Sequence, residues 1–212
     1  MRGLSGRGQA GRPFSISITR KIKIRYEGVD MNHCGTCTIE TERLLLRKFM
    51  VEDSEAMFQN WASDKEVTKF LTWPAYTSLA TAIHILNEWT TSYQKPDFYQ
   101  WAIVPKDINE PIGSISVVST NEKTQMAEIG YCIGRSWWDQ GITSEALSAV
   151  INFMFDQVGA NRIQAKHDVN NPHSGLVMKK CGMKYEGTLR SAAVNNQGVC
   201  DVSIYALLKS DR

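Results

Sequence analysis

One stretch constrains this chain more than any other: Glu128-Ile-Gly-Tyr-Cys-Ile-Gly-Arg-Ser-Trp-Trp-Asp-Gln-Gly-Ile-Thr-Ser-Glu-Ala-Leu147. Ala127 to Ile133 is apolar, aromatic and β-branched, punctuated by Gly130 and Gly134, and reads as a strand. Beyond it, Ile142, Ala146, Leu147, Val150, Ile151, Met154 and Phe155 recur at helical spacing and form one apolar stripe. Between the two, Asp139-Gln140-Gly141 turns the backbone sharply, and Gly141 is free to take a positive φ. The first N–H groups of the helix have no partner within it and lie at the positive end of its dipole, an arrangement that suits a phosphate. Neither G-x-x-x-x-G-K-[ST] nor G-x-G-x-x-G is present, so a P-loop and a dinucleotide-type turn are both disfavoured.

The rest of the chain supplies a sheet around this unit. Thr41 to Phe49 reads as a first strand, and Glu52–Trp61 as a helix with its acids at the positive end. Lys65 to Pro74 reads as a short helical turn broken by the proline. Thr77 to Tyr93 follows as a second helix, with Ala82, Ile83, Leu86 and Trp89 on one side. Phe98–Val104 and Pro111–Val118 are strands, and Arg162–Asp168 alternates as another. Pro172 opens a helix that runs to Cys181 and stops at Gly182. Met183–Leu189 and Val199–Leu208 close the chain as a strand pair. No internal repeat is visible.

Charge is unevenly placed. Residues 1–30 carry seven Lys/Arg against Glu27 and Asp30, a net of +5, whereas the whole chain is +2, which leaves −3 for the remainder. The body does not look like a nucleic-acid binder. No apolar run approaches the roughly 18 residues of a membrane span, and with 42% apolar residues the composition is that of a soluble, cytoplasmic globular protein. Residues 1–37 read as a basic, disordered leader and 38–212 as one domain. Ser15–Tyr26 alternates enough for a strand, and Met31 is a candidate true start with upstream translation before it. The leader faintly resembles a transit peptide, but its glycines oppose an amphipathic helix. Five cysteines give no disulfide framework, and Cys34-Gly-Thr-Cys37 lacks a second pair that would complete a zinc site.

The turn Trp138-Asp-Gln-Gly141-Ile-Thr143 resembles the pyrophosphate loop Q/R-x-x-G-x-G/A of the GNAT superfamily of N-acetyltransferases. It departs twice, with Trp138 at the Gln/Arg position and Thr143 at the second small position. The tryptophan, the T-S-E-A-L that follows, and the opening Thr41-Glu-Arg-Leu-Leu-Leu-Arg47 look like the RimJ/RimL-type branch, the ribosomal-protein N-terminal acetyltransferases. Asn171-Pro-His-Ser174, leading to Lys180-Cys-Gly-Met-Lys-Tyr-Glu-Gly187, is similar to the N-x-x-S…K-x-G-F/M-x-x-E-G signature. The resemblance covers about Ile39 to Leu208. It implies an α/β (α+β) acetyltransferase fold: a mixed sheet of six or seven strands flanked by about four helices. The fourth and fifth strands, Ala127–Ile133 and Arg162–Asp168, would be parallel and splayed.

It also implies acetyl-coenzyme A as donor. Its pyrophosphate would lie on the amides of Trp138, Asp139, Gln140, Gly141, Ile142 and Thr143, and its pantetheine arm in the splay along Tyr131, Cys132 and Ile133, with Asn171 as a partner. The thioester carbonyl would meet the backbone N–H of about Cys132. The acceptor would be a primary amine, a protein N-terminal α-amine in the first reading. A small amine is the alternative, and a non-catalytic acyl-coenzyme A-binding protein of the same fold is a third. Glu128 is the candidate base, or else an ion-pair partner. Ser174 matches the branch's serine that can hydrogen-bond the leaving sulfur, or else it caps a helix. Met178 stands where many acetyltransferases carry a proton-donating tyrosine. His167 and His173 lack an evident third ligand, so no metal is expected. Trp73 and Tyr76 either line the acceptor pocket or pack as core. A monomer or homodimer is expected.

Overall fold

The computed structural model describes residues 30–212. The expectations for residues 1–12 and for the alternating segment 15–26 lie outside the described residues. A single mixed sheet of eight strands runs in the order β1-β2-β3-β4-β5-β6-β8-β7. Its strands are β1 (Ile39–Glu40), β2 (Leu44–Arg47), β3 (Gln100–Pro105), β4 (Gly113–Asn121), β5 (Met126–Ile133), β6 (Arg162–Asp168), β7 (Lys184–Asn195) and β8 (Gly198–Leu208). The helices are α1 (Ser54–Met57), α2 (Lys65–Thr68), α3 (Leu79–Ser92), α4 (Ile142–Phe153) and α5 (Pro172–Lys180). Among the described residues there are thus eight strands and five helices rather than the six or seven and about four expected. The extra strand is the two-residue β1, too short to leave a pattern, and it moves the parallel pair from fourth and fifth to fifth and sixth.

Strand alternation explains the layers. Along β3 every residue is buried, because Trp101 and Ile103 join one core and Ala102 and Val104 the other. The first core packs α4 and α5 on the sheet through Leu147, Val150, Ile151 and Met178. The second packs the α1–α3 side through Met57, Trp61, Ala82 and Leu86. The helix expected over Glu52–Trp61 is a composite. A 3-10 turn (Val51–Asp53) leads into α1, and a wider turn of π type (Phe58–Ala62) follows. Arg47 grips Asp53 through both guanidinium nitrogens at 2.7 and 2.8 Å, tying β2 to the start of this unit.

The expected boundary at residue 38 falls within a segment that packs on the domain. Met31 is buried, and Asn32 N–H donates to the Val158 carbonyl at 2.8 Å. His33 lies between the Tyr99 hydroxyl and Glu122, 3.0 Å from each. Thr36 is buried and its hydroxyl donates to the Phe98 carbonyl.

Only β5 and β6 run parallel, and they part early. Their pairing covers Met126↔Arg162, Ala127↔Ile163 and Glu128↔Gln164, then stops. Each strand follows its outer neighbour instead: β5 stays with β4 to Ile133↔Gly113, and β6 stays with β8 to Asp168↔Val202. A bulge in β4 between Val117 and Ser119 lies opposite Glu128–Ile129 of β5, at the point of departure. Ile129–Ile133 therefore presents a backbone edge to the gap with no strand opposite.

Candidate active site

The turn after β5 is built from local constraints. Asp139 and Gly141 both take positive φ, +60° and +77°. This places Gly141 as the cap of α4, a left-handed position that a side chain strains. The Trp138 indole N–H donates to the Ile133 carbonyl at 3.0 Å and folds the turn back on the end of β5. The Gln140 carboxamide donates to the Ser136 carbonyl at 2.9 Å. The sequence reading missed what holds the turn from below. Glu145, in the first turn of α4, accepts from the Thr41 hydroxyl (2.6 Å), the Arg43 N–H (2.9 Å) and the Arg43 Nε (2.6 Å). Arg43 also donates to the Gln140 carbonyl at 3.1 Å. The chain-opening T-E-R and the E-A of the loop, noted separately in the sequence, are one contact. Burial acts to raise the Glu145 carboxyl, but the hydrogen bonds from Thr41 and Arg43 prevail and hold it below the usual range.

A cavity of about 410 Å³ opens above this turn. Trp138, Asp139, Gly141, Ile142 and Thr143 line its floor, Tyr131, Cys132 and Ile133 one wall, and Asn171 and Ser174 the other. Lys180 adds a cation at its edge. The donor-site residues named from the sequence are thus brought together, with the exception of Gln140, whose exposed side chain bonds the Ser136 carbonyl and does not line the cavity. The bare edge of β5, the positive-φ turn and the α4 N-terminus fit an extended, amide-bearing arm that ends in a diphosphate.

A second cavity, about 650 Å³, lies on the α1–α3 side of the sheet. The two share Tyr131, Cys132, Asn171 and Ser174 at the parting of β5 and β6, and Phe70 and Leu71 after α2, so they meet there. Glu128 lines the second cavity only. It is buried, and both oxygens are engaged, Oε1 by Lys166 Nζ at 2.9 Å and Oε2 by Gln164 Nε2 at 2.8 Å. Trp73 and Tyr76 line this cavity too, with ring centroids 5.2 Å apart.

At the junction the structure supplies a hydroxyl that was not singled out. Tyr131 continues the α5-facing row of Ala127 and Ile129, and its hydroxyl donates to the Ser174 carbonyl at 2.9 Å and lies 3.2 Å from Ser174 Oγ. Burial pushes its phenol well above the usual range, so it keeps its proton. Met178, where a tyrosine was looked for, is buried in the core. Tyr131 was expected along the pantetheine arm through its backbone; its hydroxyl contact with Ser174 was not. The Cys132 thiol lies 3.4 Å from Ser114 Oγ, and burial pushes it up, away from a reactive thiolate. His167 Nδ1 lies 2.8 Å from the Asp168 carbonyl, and His173 Nδ1 is 3.6 Å from Asp139. Among the described residues, no three His, Cys, Asp or Glu gather into a metal-binding group. Nor is any helix there long and apolar enough to cross a membrane.

A sheet split between two parallel strands, with a phosphate-type turn below and a second cavity across the split, is the architecture expected of an acetyltransferase fold. Residues 43–184 match the family model of the acetyltransferase (GNAT) domain, and the chain belongs to that family. It is 33% identical over 177 residues to the uncharacterized N-acetyltransferase p20 of Bacillus licheniformis, spanning 82% of this chain and 97% of the relative. It is 37% identical over 98 residues to the ribosomal-protein-serine acetyltransferase of Escherichia coli, spanning 46% and 55%. Among solved structures, RimL, a ribosomal L7/L12 α-N-protein acetyltransferase in complex with coenzyme A, superposes with a TM-score of 0.74. It is 24% identical and covers 83% of this chain and all of its own, a likeness of fold. The chain is therefore an acetyltransferase of the GNAT type.

Proposed function

We propose that the chain transfers the acetyl group of acetyl-coenzyme A to an α-amine, first of all one at a protein N-terminus. The observation that carries this reading is the meeting of two cavities at Tyr131, Cys132, Asn171 and Ser174, one above a phosphate-type turn and one beside Glu128. The arm of the donor lies along Tyr131–Ile133, and Cys132 marks the level of the thioester carbonyl. The neutral amine nitrogen attacks that carbonyl carbon, the C–S bond breaks, and the sulfur leaves as a thiolate. The hydroxyls of Ser174 and Tyr131 hydrogen-bond the departing sulfur, and the proton that the attacking nitrogen loses on becoming an amide is relayed to the thiolate, so both hydroxyls end the cycle protonated.

Glu128 supports the choice of an α-amine. Both of its oxygens are already held, so it is placed to draw a proton through water rather than to strip a strongly basic amine. An α-amine, pKa about 8, is roughly one-tenth neutral at pH 7, whereas a lysine, about 10.4, is neutral in well under one molecule in a thousand. The five cysteines form no disulfide, which supports a reducing, cytoplasmic setting. The test is thiol release from acetyl-coenzyme A with peptides that carry a free N-terminus. Turnover that is lost on blocking the α-amine, and unaffected by blocking a lysine, supports the reading. Turnover that follows the lysine refutes it.

A further inference from the structure

The second cavity carries information about the amine that enters it. Besides Tyr131 at the junction, five of its lining residues are aromatic: Trp61, Phe70, Trp73, Tyr76 and Trp89. Val118, from the irregular part of β4, and Val194, from β7, are exposed aliphatic side chains at the same cavity. Its titratable lining is small and mostly satisfied. Glu128 is matched by Lys166. Asp168 accepts from the Asn170 N–H at 2.8 Å and from Asn195 Nδ2 at 2.7 Å. His167, whose Nε2 is buried without a hydrogen-bond partner among the described residues, joins them, together with the thiols of Cys132 and Cys200 and the phenols of Tyr76 and Tyr131. One net negative charge thus faces a largely apolar, aromatic wall.

The wall is also held shut. Asn196, at the β7–β8 turn, reaches across to the segment between α2 and α3. Its side-chain Nδ2 donates to the Thr68 carbonyl and to the Trp73 carbonyl, each at 2.8 Å. Its backbone N–H donates to the Leu71 carbonyl at 3.2 Å. That segment carries Phe70, Trp73 and Tyr76, so this residue ties down the Phe70–Trp73 part of the aromatic wall, while the Tyr76 N–H donates to the Ala62 carbonyl at 2.8 Å.

We propose that the acceptor is a singly charged amine whose nitrogen is borne next to an apolar or aromatic side chain, and that Trp73, positioned by Asn196, selects it. This rests on the amine-acetylating reading above and narrows it. A polyamine needs a second free carboxylate, and both carboxylates here already have partners. An acidic acceptor would set its carboxylate against Glu128 and Asp168. An aromatic body gains area on Trp73 and Tyr76, while the ammonium is favoured by the ring faces and the single net charge.

The test is calorimetric titration of the protein–coenzyme A complex, in which no turnover occurs, with phenylalaninamide, glycinamide, aspartic acid α-amide and spermidine. The expected result is that phenylalaninamide binds about tenfold or more tighter than glycinamide, with spermidine and the aspartic acid amide no tighter than glycinamide. Trp73→Ala brings phenylalaninamide close to glycinamide. Asn196→Ala weakens phenylalaninamide several-fold with little effect on glycinamide. Tighter binding of spermidine or of the acidic amide, equal binding of all four, or no binding of any overturns the proposal. Failure of coenzyme A itself to bind instead overturns the transferase reading beneath it.

Discussion

Ser174 and Tyr131 place two hydroxyls 3.2 Å apart where the donor and acceptor cavities meet. If they protonate the leaving sulfur, Ser174→Ala lowers kcat by about tenfold to a hundredfold and leaves the KM for acetyl-coenzyme A nearly unchanged. Tyr131→Phe keeps the ring packing and costs less, about three- to tenfold in kcat. Thiol-release kinetics read both, and a full rate in the double variant refutes the assignment. Glu128→Gln removes the proposed base, so turnover depends on amine that is already neutral and the optimum for a free α-amine moves to higher pH; the pH profile of kcat/KM shows it. Ser174, Cys132 and Gly141 were legible because motif spacing marks them. Tyr131 was legible as a donor-arm residue on its strand, but its hydroxyl role was not, since that comes from the approach of α5, 43 positions along the chain.

At the scale of elements, the N-terminus of α4 is useful only while its turn holds shape, and Glu145 holds it. Glu145→Ala removes an acceptor shared by Thr41 and Arg43, with an expected loss of about 2 kcal/mol in unfolding free energy, measured by denaturant titration. The carboxyl of Glu145 is depressed in the folded state. Its stabilisation is therefore complete above the ordinary carboxylate value, about 4.3, and is lost as pH falls through the lower folded value. Between pH 6 and pH 3 the native chain should lose Tm more steeply than Glu145→Gln, and parallel curves would contradict this. β6 was legible to the residue, because Arg162–Asp168 alternates without interruption. β7 was not. It runs six residues beyond the expected Leu189, to Asn195, across a register shift between Leu189 and Ala193 with Ser191 at φ +50°. A bulge breaks the two-residue period on which a strand is read.

Across the whole molecule, two helical layers cover one sheet, and the split between β5 and β6 is the passage between them. The outer pairings of those strands keep it open, so the donor slot is a consequence of sheet order and not of a mobile lid. The segment from Met31 to Cys37 belongs to this body. Its anchors, Glu122 and Val158, lie about 90 to 125 residues along the chain, beyond the reach of any local pattern. A chain starting at residue 38 exposes the Tyr99 hydroxyl and loses the Met31 side chain, and its Tm should fall by several degrees relative to residues 30–212. The account's central claim is that the turn at Gly141 and the gap above it hold acetyl-coenzyme A. Isothermal titration of the purified chain with acetyl-coenzyme A tests this most directly. One equivalent should bind per chain, and at least tenfold more weakly in Gly141→Val, whose side chain strains the +77° backbone. No heat with the native chain, or equal affinity in the variant, would contradict it.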